Sequence, residues 1–242
     1  MTALKTALTK TFGHPHEWST FERTWLLTFT LINLATWHIT KDSPTGLIVS
    51  LSGMLCVILV AKGKISNYFF GAIQTALYGW IALQYGLLGE NMLNWYFYLP
   101  ASIIGFFLWS RHTTTGTVTT KRLTRKGWGT LTITLLISWV AYTWVLNALG
   151  GNATMLDSAT NVLSIAAQIL MLQRYSEQWV LWIAVNILSI TLWVAALTNS
   201  GGNDWAMVVM WSAFLVNSIY GWVNWNKLHK AQEITEEETS HA

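Results

Sequence analysis

Trp182, Asn186 and Ser189 are the residues of this 242-residue chain whose types and spacing point most directly to chemistry. They lie at positions i, i+4 and i+7 of an otherwise apolar run, so a helix would place them on one face. A flat indole ring can stack on a planar ring and is attracted to a cationic one, while an amide can hydrogen-bond a hydroxyl or a carboxamide. This face therefore predicts a site for a neutral or cationic aromatic solute.

The same combination of an amide and an aromatic ring occurs in two other apolar segments. Asn94 lies four residues before Tyr98, and Asn217 lies three residues before Tyr220, so each pair would share a helix face. An amide left unpaired in hydrocarbon costs several kcal/mol. For any one of these amides, a hydrogen bond to a neighbouring helix is the alternative to a ligand. The candidate substrate-binding residues are Trp182, Asn186, Gln74, Asn94, Tyr98, Trp211, Asn217, Tyr220 and Gln168.

The groups that are missing from the apolar segments narrow the function further. No Asp, Glu, Lys or Arg lies well inside any of them, whereas proton relays and ion-coupled carriers usually display intramembrane ionisable groups. The sequence also lacks the GxxxxGK[ST] and GxGxxG phosphate-binding motifs, and a phosphate would call for Arg or Lys. We therefore expect a nucleoside-like ligand, no metal, no cofactor and no enzymatic activity.

The composition predicts that membrane helices position these residues. Only 10% of the residues are charged and 52% are apolar, against roughly 25% charged in ordinary soluble domains. The mean hydropathy is +0.38. The single cysteine, Cys56, excludes an intrachain disulfide. A soluble helical bundle is the alternative, but it would have to bury an unusually large apolar surface.

Eight nearly charge-free runs have about the length that a bilayer requires. They are Thr24–Ile39, Thr45–Ala61, Asn67–Gln84, Asn91–Trp109, Gly129–Leu149, Asp157–Gln173, Trp179–Thr198 and Asp204–Trp225. Eight crossings place all of the 14 Lys and Arg residues except Lys41 on one side, which predicts that both termini are cytoplasmic. This topology accounts for the basic loop Arg111–Lys126, for which nucleic acid or anionic lipid binding is the alternative. We expect a lipid bilayer and no nucleic acid as partner.

Tryptophan is unusually frequent, with 16 residues in the chain. Tryptophan is enriched at the two membrane interfaces, and this belt position is expected for Trp18, Trp37, Trp128, Trp179, Trp205 and Trp225. The acidic tail that follows Trp225 is predicted to be solvated.

The two halves of the chain resemble each other. Matches at an offset of 112 include Gln74 with Asn186 and Lys62 with Arg174, and matches at an offset of 116 include Trp95 with Trp211 and Gly105 with Gly221. Chance agreement among apolar residues is the alternative, but the matches are collinear. One three-helix copy and the linker span together make four spans, so both copies enter the membrane in the same direction as parallel repeats about an axis along the membrane normal. The repeated polar residue predicts a binding site on that axis.

The predicted fold is an all-α integral membrane protein with eight transmembrane helices. Parallel three-helix repeats form a three-plus-one-plus-three core, and one extra helix lies at the N-terminus. We divide the single membrane domain, residues 1–242, into an N-terminal segment (1–44), a first repeat (45–110), a basic loop and linker helix (111–150), a second repeat (151–226) and a cytoplasmic tail (227–242).

Three segments carry a resemblance to a known family: KISNYFFGAIQTALYG (Lys64–Gly79), RYSEQWVLWIAVNILSI (Arg174–Ile190) and SIYGWVNW (Ser218–Trp225). They resemble the PnuC family of bacterial vitamin transporters over roughly residues 45–225. The resemblance implies uptake of nicotinamide riboside by facilitated diffusion through the inner (cytoplasmic) membrane. It also implies alternating access, homotrimers, a core related to that of SWEET sugar transporters, and trapping of the substrate by a cytoplasmic kinase. Family-type substrate residues are Trp, Asn, Gln and Tyr, so Trp182 and Asn186 are the first candidates.

Two other functions compete with this expectation. A carrier of the same fold could take thiamine or a sugar, as some relatives carry other vitamins. A membrane receptor or a membrane enzyme is the alternative from a different class, although the apolar segments lack an acid, base and nucleophile set.

Overall fold

The computed structural model describes residues 18–40, 44–84, 91, 93–114, 117–148, 154–200 and 205–240. These residues form eight helical segments and one short hairpin. The elements are α1 (Thr20–Thr40), α2 (Pro44–Ala61), α3 (Asn67–Gln84), a π-helical stretch (Leu93–Tyr98) that continues directly into α4 (Leu99–Ser110), β1 (Thr113–Thr114), β2 (Thr117–Val118), α5 (Arg125–Ala148), α6 (Thr154–Leu172), α7 (Gln178–Ser200) and α8 (Trp205–Ser240).

The mostly helical fold agrees with the prediction, and each of the eight expected spans coincides with one helical segment. The predicted start of the last span, Asp204, lies outside the described residues. Two features were not predicted. The basic loop contains an antiparallel hairpin in which Thr113 pairs with Val118, and α8 runs for 36 residues, well beyond the span end expected at Trp225.

Two helices in the described part of the chain are long and apolar enough to cross a bilayer, Pro44–Ala61 and Arg125–Val145. Shorter apolar stretches follow at Ser158–Leu172 and Gln178–Thr191. The Arg125–Val145 stretch buries none of its apolar window inside the protein, and the Trp144 side chain on it is 72% exposed. An exposed apolar surface of this kind is consistent with contact with a lipid bilayer.

The chain forms two compact units. The first unit ends at Val118, and the second begins at Thr119. In the first unit, α2 packs on α1 and α3, and α3 packs on α4. Met54, Ile58 and Leu59 of α2 are almost completely buried there. The core of this unit therefore lies along α2, on the side that faces α3.

A buried ion pair attaches α1 to the end of α2. Ser19 and Glu22 form a capping box, in which the Ser19 backbone N–H donates to Glu22 Oε2 (2.7 Å) and the Glu22 N–H donates to Ser19 Oγ (3.2 Å). The same carboxylate accepts from Lys62 Nζ, at 2.8 Å to each oxygen. The Trp18 ring centroid lies 4.7 Å from that ammonium. Glu22 therefore both caps α1, the helix that precedes the expected repeats, and attaches it to the end of α2.

In the second unit, neighbouring helices from α5 to α8 pack on each other in chain order. Its core cluster consists of Ala167 and Leu170 of α6 with Leu181 of α7. Leu131 and Leu135 of α5 pack against this cluster, so α5 contributes one apolar face to the core. Its remaining faces stay exposed.

Candidate functional site

Matching turns precede α3 and α7, the helices that carry Gln74 and the pair Trp182–Asn186. Each turn contains a residue with a positive φ angle, Gly63 (65°) and Arg174 (69°). The next amide in each, that of Lys64 or Tyr175, donates to a carbonyl five residues earlier at 2.9 Å. This is the Schellman pattern that ends a helix. Both turns therefore direct the chain into the next helix in the same way.

The two turns match each other in a register that differs from the expected one. Their hydrogen bonds match at an offset of 111, the interval between the helix starts at Asn67 and Gln178. The offset of 112, which pairs Gln74 with Asn186, is wrong by one residue at this point. In the observed register Thr75 takes the place of Asn186. The Thr75 side chain is buried and donates to the Gly71 carbonyl of its own helix (2.9 Å).

Buried aromatic pairs follow both turns. Tyr68 meets Trp109 edge to face at 5.1 Å between ring centroids, and Trp179 meets Trp225 at 6.2 Å. Trp179 is 2% exposed and Trp225 is fully buried, so the belt position expected for these two residues is wrong. Gly221 provides the space, because a Cβ atom there would lie 2.5–2.6 Å from the outer ring atoms of Trp179.

The face of α7 that was predicted from spacing points into the second unit. Asn186 is 2% exposed, and Ser189 is also buried. Asn186 Nδ2 donates to Ser218 Oγ of α8 at 2.9 Å. Trp182 is half-buried and packs against the α6–α7 core cluster. One N–H of the Asn186 amide thus has a helix partner, while the indole offers a partly open surface one turn earlier.

The remaining candidates of the second unit lie on α6 and α8. Gln168 and Asn217 are buried. Trp211 and Tyr220 are half-buried, and the Trp211 ring meets Phe214 of its own helix at 5.9 Å. Asn217 adjoins Ser218 in sequence, and Ser218 is the α8 residue that hydrogen-bonds Asn186.

In the first unit, Gln74 is half-buried and lies against α2. A Cβ atom placed on Gly53 would lie 3.2 Å from Gln74 Cγ, so the glycine allows the glutamine stem to pack closely. This contact explains where the Gln74 side-chain stem packs. The role of its amide group in binding a ligand stays a prediction.

Asn94 and Tyr98 lie at the π-helical stretch, an uncommon geometry that is frequent at functional sites. Asn94 is buried and Tyr98 is half-buried. Between them, Trp95 Nε1 donates to the Ala76 carbonyl of α3 at 3.0 Å. Just before the stretch, Asn91 Nδ2 donates to the Gly79 carbonyl of α3 at 2.9 Å. Two side-chain donors therefore attach this stretch to the backbone of α3.

Two charged residues of the second unit, Arg122 and Arg174, lie outside its helices. Arg174 Nη1 donates to the Thr119 carbonyl (3.2 Å) and Oγ1 (2.6 Å). Burial lowers the pKa of Arg174 from its ordinary value, and the nearby Tyr175 opposes that shift. Arg122 Nη1 lies 3.8 Å from Glu177 Oε1. Among the described residues, no group of three or more His, Cys, Asp or Glu side chains could hold a metal ion.

Ser218 was missed as a candidate, although the sequence contains a signal for it. Ser102 and Ser218 match at the offset of 116 that also pairs Gly105 with Gly221. Both serines are buried. No sequence pattern marks the π-helical geometry at Asn94. This geometry depends on how the backbone accommodates the Trp95 side chain against α3.

Comparison with known proteins finds a matching family and similar proteins. A family model described as "Nicotinamide mononucleotide transporter" matches residues 43–227. The nicotinamide riboside transporter PnuC of Haemophilus influenzae is 43% identical over 217 residues, covering 88% of this chain and 92% of that protein. The corresponding Neisseria mucosa protein is 40% identical, covering 88% and 83%.

A solved structure supports the same relationship. The crystal structure of the vitamin B3 transporter PnuC superposes with a TM-score of 0.80 at 39% sequence identity. The match covers 94% of this chain and 98% of that chain. The unmatched 6% of this chain is shorter than the 21 residues of α1, so the match extends into α1, which lies outside the family model's residues 43–227.

Proposed function

This chain belongs to the nicotinamide mononucleotide transporter family, and on that premise we propose that it is a membrane transporter that takes up nicotinamide riboside. The observation that carries the proposal is the 43% identity to a nicotinamide riboside transporter over 92% of that protein's length. The mostly helical fold and the exposed apolar surface of α5 support the membrane location.

The neutral character of the candidate residues favours a nucleoside over a nucleotide. Nicotinamide mononucleotide differs from the riboside by a phosphate, which proteins bind with Arg, Lys or clustered backbone N–H groups. No Lys or Arg occurs between Gln178 and Trp225, the part of the chain that contains Trp182, Asn186, Trp211, Asn217 and Tyr220. The family description names the mononucleotide, but these side chains suit the uncharged ribose and the cationic pyridinium ring.

Each leading residue has a specific role in this proposal. The Trp182 ring stacks on the pyridinium, where a cationic ring gains from the aromatic quadrupole. The Asn186 amide keeps its bond to Ser218 and uses its carbonyl oxygen for the ligand. Gln168 and Asn217 supply further hydrogen-bonding groups in the second unit, while Gln74, Asn94 and Tyr98 are the candidates of the first unit.

The transport cycle and the assembly complete the proposal. Transport is facilitated diffusion by alternating access, and a cytoplasmic kinase traps the product by phosphorylation. The matching Schellman turns and aromatic pairs support a three-plus-one-plus-three core. The distribution of Lys and Arg supports an inner-membrane protein with cytoplasmic termini, and the family resemblance supports a homotrimer. Catalysis is not part of this function.

Ligand identity is tested by competition binding on the purified protein. Unlabelled nicotinamide riboside should displace a nicotinamide riboside tracer at low concentration, while nicotinamide mononucleotide, thiamine and glucose should require far higher concentrations. Protein-only liposomes should then accumulate the riboside only to equilibrium with the external solution. Displacement by thiamine or glucose at equal concentration would overturn the ligand, and binding without liposome uptake would indicate a receptor.

The residue roles are tested by two substitutions. Trp182→Ala should weaken binding by about 5- to 140-fold, because base–aromatic stacking contributes about 1–3 kcal/mol. Asn186→Leu should weaken it by about tenfold, since it removes one hydrogen bond to the ligand. The matched control is Trp144→Ala, which removes an exposed tryptophan of α5. Wild-type affinity in both folded site variants would remove these residues from the site.

A further inference from the structure

Ser218 of α8 hydrogen-bonds the Asn186 amide of α7. The Asn186 Nδ2 group donates to Ser218 Oγ at 2.9 Å, and both side chains are almost completely buried. An asparagine amide has one acceptor oxygen and two N–H donors. With an N–H directed to α8, the carbonyl oxygen lies on the opposite edge of the amide plane. Within the described residues, no side chain or backbone group hydrogen-bonds that oxygen.

This orientation determines what the amide can accept from a ligand. A carbonyl oxygen accepts hydrogen bonds and donates none, so it can bind an N–H or O–H group and repels a carboxylate. Nicotinamide riboside carries a carboxamide with two N–H donors, whereas nicotinic acid riboside carries a carboxylate in the same place. An amide that presents its oxygen would therefore distinguish the two pyridine nucleosides.

We propose that Ser218 is a positioning residue that fixes the Asn186 carbonyl oxygen towards the ligand carboxamide and so makes the site selective for carboxamide over carboxylate. This inference rests on the proposed function, because it needs the Asn186 amide in contact with the ligand. Ser218 acts through Asn186 and does not itself touch the ligand. Without the Ser218 hydroxyl, the Asn186 amide can rotate and present an N–H to a carboxylate.

The test is the ratio of affinities for the two nucleosides in the full-length protein. Wild type should bind nicotinamide riboside at least about tenfold more tightly than nicotinic acid riboside. The carboxylate of the acid finds no donor at the Asn186 oxygen, and the loss of a hydrogen bond to a charged group weakens binding by at least about tenfold. Ser218→Ala should reduce this ratio by about fivefold or more, mainly by improving the binding of the acid. Ser218→Thr keeps the hydroxyl and should restore the ratio.

The matched control is Ser102→Ala. Ser102 is also a buried serine, at the corresponding position of the first unit, but its hydroxyl donates to the Tyr98 carbonyl of its own helix (2.9 Å). This variant should leave the ratio unchanged. The inference is overturned if Ser218→Ala weakens both ligands equally, or if wild type does not prefer the carboxamide. Wild-type binding by Asn186→Leu would instead refute the proposed site itself, so the two failures are distinguishable.

Discussion

Gly221→Ala should destabilise the second unit, because Gly221 of α8 lies directly against the Trp179 ring. An added Cβ atom would meet ring atoms Cη2, Cζ2 and Cζ3 at 2.5–2.6 Å, against a normal carbon–carbon contact of about 3.5–4.0 Å. The ring therefore has to move by about 1 Å. Trp179 is buried and backed by Trp225, so it has little room to retreat.

The size of the effect follows from two opposing contributions. Overpacking a close-packed core costs about 1–3 kcal/mol, and here we expect the upper part of that range because the ring is rigid. Replacing glycine by alanine inside a helix recovers about 1 kcal/mol. The net loss is about 2 kcal/mol, which for a chain of this size lowers the melting temperature by about 4–8 °C. Because Ser218 precedes Gly221 by one turn, the Asn186–Ser218 bond should also stretch and ligand affinity should fall.

The assay is thermal unfolding in detergent, together with nicotinamide riboside binding at a temperature where the protein is folded. Gly129→Ala is the matched control, because a Cβ atom at Gly129 of α5 meets nothing within 4 Å. It should leave the melting temperature unchanged or raise it slightly. Trp179→Phe removes the outer ring atoms, so the double variant with Gly221→Ala should recover most of the loss. If Gly221→Ala melts like Gly129→Ala, the close packing of Gly221 against Trp179 does not hold.

Three further substitutions test the first unit by thermal unfolding. Gly79→Ala places a methyl group on the Trp95 ring and should cost about 1–3 kcal/mol; the reasoning fails if Trp95→Ala does not relieve that loss. Glu22→Gln leaves the Lys62 ammonium buried without its carboxylate and should cost about 3–5 kcal/mol, whereas the double replacement Glu22→Gln with Lys62→Met should recover much of it; a single variant as stable as wild type would contradict this. Gly63→Ala forces a Cβ atom into a positive φ of 65° and should cost about 1–2 kcal/mol, and a neutral result would show that the turn relaxes.

The helix positions could be predicted because charge marks their ends. Lys62, Arg111 and Arg174 follow long apolar runs, and α2, α4 and α6 end within two residues of them. The face of Trp182 and Asn186 was predictable for a similar reason, since the helical period fixes which side chains are neighbours. Those features depend on local sequence alone.

The residue offset that aligns the two halves of the chain could not be predicted from local sequence. Matching Lys62 with Arg174 by charge is natural, but Arg174 occupies the position of positive φ that Gly63 takes in the first turn. Glycine is the usual sequence marker of that conformation, and an arginine there conceals it. The one-residue error then passes along α3 and α7, so that Gln74 replaced Thr75 as the counterpart of Asn186.

The buried tryptophans show a second limit of reading single segments. Trp179 lies at the start of α7 and Trp225 at the predicted end of the last span, where the membrane interface would attract an indole. Both rings are nevertheless buried, and Gly221 on α8 opens the space for the Trp179 ring. The informative residue is therefore the glycine on the facing helix and not the tryptophan. The same reasoning applies to Asn186, whose apolar neighbours do not reveal whether it meets a ligand or a helix. Ser218 resolves part of that choice, since one N–H of the amide has a helix partner, while the contact of the carbonyl oxygen with a ligand stays a proposal.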